Sequence, residues 1–419
     1  MTEGHSEATA DVIVIGAGII GIAAASYLQD DGRSVLLIDR GEIAMGASFG
    51  NAGAFAFSDV LPLASPGIMR KAPKWLVDPL GPLSIPPAYF PAIAPWLLRF
   101  WRASRPDRAN QSMHAQIALM RLAAGETMAL IGRAGLTAML RPNGNLELYE
   151  SDEELTAALR GWEARKAEGI EFEHLRGEAI AALQPGLSPR FKVATFVPGW
   201  KNIADPFDFA RALARRVEKR GGRFRRAEVM ALRPLGWGVE LALKDGTTLR
   251  ARQVVIACGA WSRPLALGLG DRIPLETERG YNTTLPPGSF DVRRQLTFGG
   301  HGFVVTPLSS GIRVGGAVEL GGLARPPDFR RSEVMLRKAA AFLPGLKTEG
   351  GRQWMGFRPS LPDSLPVIGH SSASPDVVYA FGHGHLGLTQ SAATGRLVAD
   401  LLAGRSPAIS IEAFRPSRF

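Results

Sequence analysis

Three glycines stand behind the apolar run Val12-Ile13-Val14-Ile15 in the order Gly16-x-Gly18-x-x-Gly21, and an acid, Asp39, follows 23 residues after the first of them. Each residue type has a use at that spacing. Gly16 permits a tight turn, Gly18 lets the backbone approach a pyrophosphate, and Gly21 lets a helix pack close on a strand. A helix opening at Ile19 and Ile20 would aim free N–H groups at that negative charge. Asp39, with Arg40 behind it, lies at a suitable reach for a ribose hydroxyl pair. A purely structural turn explains the glycines but not the acid, so the chemistry read here is dinucleotide binding.

A second set lies near the other end of the chain: Gly356-Phe357-Arg358-Pro359, then Phe381-Gly382-His383-Gly384-His385-Leu386-Gly387-Leu388-Thr389. An arginine between Phe357 and Pro359, within apolar surroundings, is poorly explained as a surface ion pair. Its planar fork suits a carboxylate. The second run precedes the last predicted helix, whose N-terminus is placed to stabilise negative charge. His383 is open to a ligand-contacting or a structural role, and His385 to the same pair with a weaker claim. Two histidines without a paired acid in the sequence do not make a metal site, so no metal is expected. A third place is marked by small residues. The stretch 46–58, GASFGNAGAFAFS, holds more glycine and alanine than a turn needs, as where a backbone must approach something closely.

These groups need elements to position them. The patterns predict a strand over 11–15, a helix over 19–31 and a strand over 34–38, which is a βαβ unit. Helices are predicted over 113–132, 152–166, 207–220, 332–342 and 387–402. Strands are predicted over 224–232, 238–243, 248–252, 253–257 and 377–380. The short runs 279–285, 296–298, 303–307 and 313–318 read as a separate antiparallel sheet. A nucleotide-binding domain is therefore begun, interrupted and resumed.

With 419 residues, 46% hydrophobic and 21% charged, the chain can bury a sizeable core in two or three domains and is not a disordered polymer. The net charge of +10 is scattered. Its clusters at 211–226 and 325–338 interleave with apolar residues, and no motif that reads nucleic acid is present, so no nucleic-acid partner is expected. A single cysteine, Cys258, excludes an intramolecular disulfide and fits a reducing compartment. The first ten residues carry no basic leader and no stretch is long and clean enough to span a bilayer, so a cytoplasmic protein is expected. The stretch 61–106 is rich in proline and tryptophan (Trp75, Trp96, Trp101), and 96–102 is amphipathic and cationic. Packing on the protein's own body is the preferred reading. A peripheral contact with the inner face of the cell membrane stays open.

On the N-terminal glycine motif, 46–53, Val254 to Ser262, Arg279-Gly280-Tyr281, Trp354 to Gly369 and Gly382 to Leu388, the chain resembles the D-amino-acid oxidase and glycine oxidase superfamily over nearly its whole length. Within it, the chain looks most like bacterial D-amino-acid dehydrogenases, including hydroxy-D-proline dehydrogenase relatives. The resemblance implies an α/β fold (α+β overall): a Rossmann-like FAD-binding domain of the glutathione-reductase type, assembled discontinuously from 1–60, 145–265 and 353–419. Inserted into it would be a mixed or antiparallel-sheet substrate domain from 61–144 and 266–352. It implies FAD, with Ser48, Asn51, Ala52 and Gly53 beside the flavin ring and Val229 at the adenine. Cys258, Gly259 and Trp261 would form the return crossover beside the nucleotide. Gly356, Gly382, Gly384, His385, Leu386, Gly387, Leu388 and Thr389 would serve the ring's other edge. Cys258 reads as a small buried filler. No cysteine lies nearer the C-terminus, where some sarcosine-oxidase relatives attach flavin, so the FAD is expected to be non-covalent.

Arg358 matches the family arginine that grips the substrate carboxylate. Tyr281 is a second candidate, as a hydroxyl donor at that carboxylate, a wall over the flavin or a core tyrosine. His383 is a third, and Phe303 and Trp354 could shape the side-chain pocket. The implied activity is oxidative deamination of a D-amino acid or a cyclic imino acid of the D-proline or hydroxy-D-proline type, by hydride transfer from Cα to flavin N5. Electrons would pass to a quinone or another non-oxygen acceptor. The alternative is an oxygen-using amine oxidase of the glycine or sarcosine type. Sarcosine-oxidase relatives place an oxygen-activating lysine in the substrate domain, and no lysine occurs here between Lys244 and Lys338, which leans towards a dehydrogenase. No dedicated base is expected, because the protein has only to orient the substrate and exclude water.

Overall fold

The computed structural model describes residues 8–68, 81 and 83–419. Trp75, with the rest of 69–80, lies outside the described residues. Ala10–Ile15, β-branched and apolar, is buried almost throughout and forms the middle of an eight-stranded sheet. Val35–Asp39 pairs with it in parallel on one side, with Arg223–Arg226 beyond, and Thr248–Ile256 pairs on the other. Near-continuous apolar runs of this kind belong to parallel strands covered on both faces.

Thr248–Ile256 is a single strand where two were predicted, and its halves pair differently. The half-exposed first part carries an antiparallel meander of Gly238–Leu243 and Val229–Leu235. The buried Val254-Val255-Ile256 pairs in parallel with Val377–Phe381. The predicted strand 224–232 is two, for the same reason: Arg223–Arg226 extends the parallel set and Val229–Leu235 closes the meander.

One face of the sheet is covered by Ile19–Asp30, which is buried along nearly its whole length. Gly387–Leu402 and Pro206–Lys219 pack beside it. The close helix crossing needs a glycine, since a Cβ on Gly395 would lie 2.9 Å from the backbone of Ala23. Pro206–Lys219 begins at Asp205, whose carboxylate accepts from the amides of Phe207 and Asp208, with proline in the first turn.

The second sheet has nine strands. Its order is Arg352–Ser360, Glu276–Leu285, Gly311–Glu319, Phe303–Leu308, Gln295–Phe298, Asn145–Tyr149, Val193–Val197 and Glu173–Arg176, with Leu83–Ser84 against Gly311–Glu319. It is antiparallel except where Gln295–Phe298 meets Asn145–Tyr149 and where Leu83–Ser84 joins. The strands within 145–197, and Arg352–Ser360, belong to this sheet although the sequence reading put 145–265 and 353–419 in the nucleotide domain. Leu146, Leu148 and Ala194 explain the first case, since they alternate into the core built on Phe298, Phe303 and Phe342. Gly356 and Pro359 disguise the second. Arg352–Ser360 is an edge strand, where proline costs no ladder bond.

Phe90–Ala103 turns Ile93 and Trp96 inward against Leu320 and leaves Phe90, Leu98 and Trp101 exposed. Among the described residues no helix is long and apolar enough to cross a membrane.

Candidate functional site

The two sheets open on one cavity of about 1420 Å³. One end is built by the strand ends. Gly16 turns at φ +109°, and its amide donates to Ile38 O. Asp39 holds the turn through its side chain, accepting from Ala17 N and Gly41 N, both at 2.8 Å. Gly18 and Ile20 line the cavity beside it. Gly21 does not, and is the packing glycine: a Cβ there would sit 1.9 Å from Gly16 O. Ile19–Asp30 starts at Gly18, which has no side chain to cap it, with no acid in the first turn, so its positive end is unspent.

Ser48 turns its hydroxyl to the helix start, accepting from Ile19 N at 3.0 Å. Tertiary folding of its loop carries it back to the helix start. Arg40 stacks on Trp261 at 3.9 Å, and Val229 and Gly259 line the same end. The Cys258 thiol donates to Ile15 O at 3.3 Å and burial pushes it up to about 12, so it is no reactive thiolate.

The other end is a face of the second sheet. Glu276–Leu285 and Arg352–Ser360 pair in unbroken register, with Glu278 opposite Arg358, Gly280 opposite Gly356 and Asn282 opposite Trp354. Side chains alternate along a strand, so these six share one face. The Arg358 guanidinium lies over Gly280, where a Cβ would come within 2.4 Å of Nη2. Its Nη1 donates to Ala317 O at 3.1 Å. Ala317 has the left-handed φ of 53°, in a bulge that sets Gly316 to Glu319 against Tyr281 to Arg279. Among the described residues no carboxylate comes within ion-pair distance of Arg358. Burial lowers its pKa while Glu278 pulls the other way, and a guanidinium stays charged throughout.

Tyr281 has the opposite parity. Its ring joins the hydrophobic core under the sheet with Phe329, and its hydroxyl donates to buried Glu319 and accepts from Asp328 N. Burial pushes the phenol up to about 12. Of the three roles open to Tyr281, the hydroxyl beside Arg358 is set aside and the core role holds, with a ring that reaches the cavity wall.

Between the ends, the loop of small residues is clamped by the second sheet. Asn282 Nδ2 donates to Gly50 O at 3.0 Å, and Arg313 Nη1 donates to Phe49 O at 3.3 Å and to Asn51 O. The Trp354 indole fills the gap that glycines leave: a Cβ would meet it at 2.1 Å from Gly50 and 1.9 Å from Gly356. Asn51 and Ala52 line the cavity, as do Phe303 and Trp354. Gly53 and Gly382 do not; both take positive φ and pack against Leu308 and Leu361 respectively.

Gly387–Leu402 opens on the cavity with no side-chain cap and no acid in its first turn. Gly384, His385, Leu386, Gly387, Leu388 and Thr389 line that wall. His383 is only 4% exposed, its Nε2 meets Thr394 Oγ1 at 2.9 Å, and burial lowers its imidazole to about 3, so it stands neutral against the helix.

The sequence reading missed Asp59, Glu278, Asn282 and Arg313. Glu278 and Asn282 carried a signal, the two-residue period of the strand through Gly280. Asp59 carried none. Its Oδ2 lies 3.1 Å from His385 Nε2, so the acid held to be absent is supplied from far away in the chain. Among the described residues no group of three or more His, Cys, Asp or Glu could hold a metal ion.

The family described as FAD dependent oxidoreductase matches residues 11–401. A D-amino-acid oxidase of Bradyrhizobium diazoefficiens is 35% identical over 418 residues, covering 97% of this chain and 98% of that protein. A D-amino acid dehydrogenase of Rhizobium johnstonii is 31% identical over 417 residues, covering 97% and 99%. Among solved structures, glycine oxidase from Geobacillus kaustophilus has a TM-score of 0.76 at 23% identity, covering 98% of this chain and 99% of that one. L-Proline dehydrogenase from P. horikoshii has a TM-score of 0.74 at 20% identity, covering 99% and 98%. The two structures share the fold, a Rossmann-like unit joined to a second sheet.

Proposed function

The chain belongs to the family of FAD dependent oxidoreductases, and from that membership we propose that it oxidises the Cα–N bond of a D-amino acid or cyclic imino acid. FAD is its cofactor. The cavity fits that group on its own evidence. Two helices begin uncapped at its wall, and Gly18, which lines the cavity at the start of the first, puts no side chain there. In this reading Gly16 to Ile20, Asp39 and Ser48 hold the pyrophosphate and ribose. Arg40, Val229, Cys258, Gly259 and Trp261 hold the adenosine end. Asn51, Ala52, Gly356, Gly384 and His385 to Thr389 meet the ring. The lone Cys258, half-buried, with its thiol held on Ile15 O and its pKa raised, supports non-covalent binding.

The observation that carries the substrate reading is Arg358. Its guanidinium is lodged in the cavity wall on a single carbonyl, with most of its fork unspent. It takes the substrate carboxylate in two parallel charge-assisted bonds. Trp354 and Phe303 limit the space for the side chain and orient the substrate. Bound FAD supplies the two-electron acceptor.

The test is an anaerobic flavin-bleaching screen over D- and L-amino acids, prolines, hydroxyprolines, glycine and N-methyl amino acids. D-Amino acids or prolines should bleach the flavin, and no response from any of them sinks the reading. The final acceptor is read as a quinone or another non-oxygen acceptor, so slow reoxidation in air is expected. The D-amino-acid oxidase relative favours the second reading, oxygen, which fast reoxidation would select. A peripheral membrane contact through exposed Phe90, Leu98 and Trp101, beside Arg99 and Arg102, belongs to the quinone reading. Salt-sensitive co-sedimentation with anionic vesicles tests it, and no binding at low salt removes it.

Gly280→Ala gives a separate check on Arg358. A methyl group 2.4 Å from Nη2 must push the guanidinium off its seat. The guanidinium is the far end of a flexible side chain and gives way at little cost to the fold. Its charge-assisted bonds to the substrate, worth about 1.5–3 kcal/mol, are lost, so KM should rise roughly tenfold to a hundredfold with FAD content unchanged. An unaltered KM would mean that the guanidinium's seat is irrelevant to the substrate.

A further inference from the structure

We propose that His385, held by Asp59, takes the ammonium proton of the bound substrate. The proposal rests on the amine-oxidation reading above and supplies the base that the sequence reading did not find.

The geometry begins with the backbone. Gly384 N donates to Pro359 O at 2.7 Å, so the residue before His385 is tied to the residue after Arg358. The carboxylate anchor and the histidine are thereby built into one corner of the cavity. His383 and His385 are two residues apart but differ in surroundings. Both line the cavity, but His383 is buried with its Nε2 on Thr394, whereas the His385 side chain is 38% exposed.

One nitrogen of His385 is committed and the other is not. Nε2 meets Asp59 Oδ2 at 3.1 Å, and Nδ1 has no hydrogen-bond partner among the described residues. In the neutral ring Nε2–H donates to the carboxylate and Nδ1 keeps its lone pair. Asp59 is itself braced: Gln116 Nε2 donates to its carbonyl at 3.0 Å and Arg165 Nη2 stands 3.8 Å from its other oxygen. Arg165 also donates through Nε to Ser58 O.

The charges around the ring act in both directions. Burial and Arg358 disfavour the imidazolium, while Asp59 and Glu278 favour it. Arg165 and Glu147 act from behind Asp59. Burial alone would lower the pKa, but the Asp59 bond and charge outweigh it and leave His385 above the ordinary imidazole value. A base poised near neutral pH is effective for proton transfer.

The step balances. An amino acid arrives as an ammonium, which has no lone pair to form a C=N bond. One proton moves from nitrogen to His385 Nδ1. The Cα–H then leaves as hydride to FAD, the oxidant, and the freed lone pair closes C=N to give the iminium. The proton on His385 leaves through the cavity to solvent.

Asp59→Asn and His385→Gln test this in the FAD-loaded protein. In the wild type the rate of anaerobic flavin reduction should rise with pH through the His385 titration. Removing the carboxylate lowers the histidine's pKa, so in Asp59→Asn this acidic limb should move about one unit to lower pH. His385→Gln should lose the limb and slow reduction at pH 7 by roughly a hundredfold or more, with little change in KM. A readout independent of turnover is the imidazole NMR titration without substrate. The signal missing in His385→Gln should titrate above the free-histidine value in the wild type and fall in Asp59→Asn. If His385→Gln does not fold, Asp59→Asn carries both measurements. An unchanged limb in the variants of an enzyme that amino acids do bleach overturns the proposal alone. A wild type that no amino acid bleaches overturns the amine reading, and the proposal with it.

Discussion

Arg358→Ala should raise KM for a carboxylate-bearing amine by about a hundredfold to a thousandfold and leave FAD bound. Removing one partner of a buried charge pair costs about 3–5 kcal/mol, and each 1.4 kcal/mol is a factor of ten. The arrangement makes the loss worse than a missing bond. Glu278 lies directly across the register from Arg358 and Ser360 Oγ already donates to it, at 2.6 Å. Without the guanidinium that carboxylate faces the incoming one uncompensated. Arg358→Lys should recover little. An ammonium cannot both keep the Ala317 carbonyl and present a planar pair of donors. Steady-state KM, read with the flavin absorbance of each purified variant, checks the prediction. A wild-type KM in Arg358→Ala would remove this residue from the substrate site.

How much of this was legible in the sequence depends on whether a residue's duty is local. The glycine turn is local: φ and close approach each demand a residue type at a fixed distance, and Gly16 turns at positive φ and Gly21 packs on it as read. Asp39 spends its carboxylate on the amides of Ala17 and Gly41, and its hold on a ribose belongs to the proposal. The place of Arg358 in an apolar wall was legible from Phe357 and Pro359 beside it, while its hold on a carboxylate belongs to the proposal. Tyr281 was left open between a site role and a core role because its neighbours were treated as a motif and not as a strand. Period-two alternation through Glu278, Gly280 and Asn282 sends Tyr281 to the other face, towards Glu319. The bond of Ser48 to Ile19 N was not legible because only the folded loop brings the two together. The Asp59 contact with His385 spans 326 residues, and nothing in the local run around Asp59 marks it as a partner. Strand pairing hid similarly. Arg352–Ser360 carries a glycine and a proline that argue against a strand, and its edge position and the Trp354 indole over Gly356 are what permit them.

Gly16→Ala is expected to cost both the cofactor and the fold, where Gly18→Ala costs the cofactor alone. At Gly16 the backbone takes φ +109°, a conformation that L side chains avoid at a cost of about 1–2 kcal/mol. The added Cβ would also lie 2.3 Å from Ala257 O, 2.6 Å from Ala257 C and 3.0 Å from Cys258 N. Those atoms follow a strand held by parallel neighbours on both sides, so they cannot retreat as a flexible side chain would. Overpacking adds about 1–3 kcal/mol, and the turn that aims the helix start at the pyrophosphate is lost as well. Gly18 is different. Its φ is −77°, and the nearest neighbour of an added Cβ is Ser48 Oγ at 3.5 Å, an ordinary contact. A methyl group there leaves the chain unstrained and occupies the approach to the pyrophosphate. Urea melts of the FAD-free proteins should therefore show Gly16→Ala destabilised by several kcal/mol and Gly18→Ala near wild type, while FAD titration should show both weakened. Wild-type FAD affinity in Gly18→Ala would move the pyrophosphate away from this turn, and wild-type stability in Gly16→Ala would mean that the strand ends give way where their pairing says they cannot.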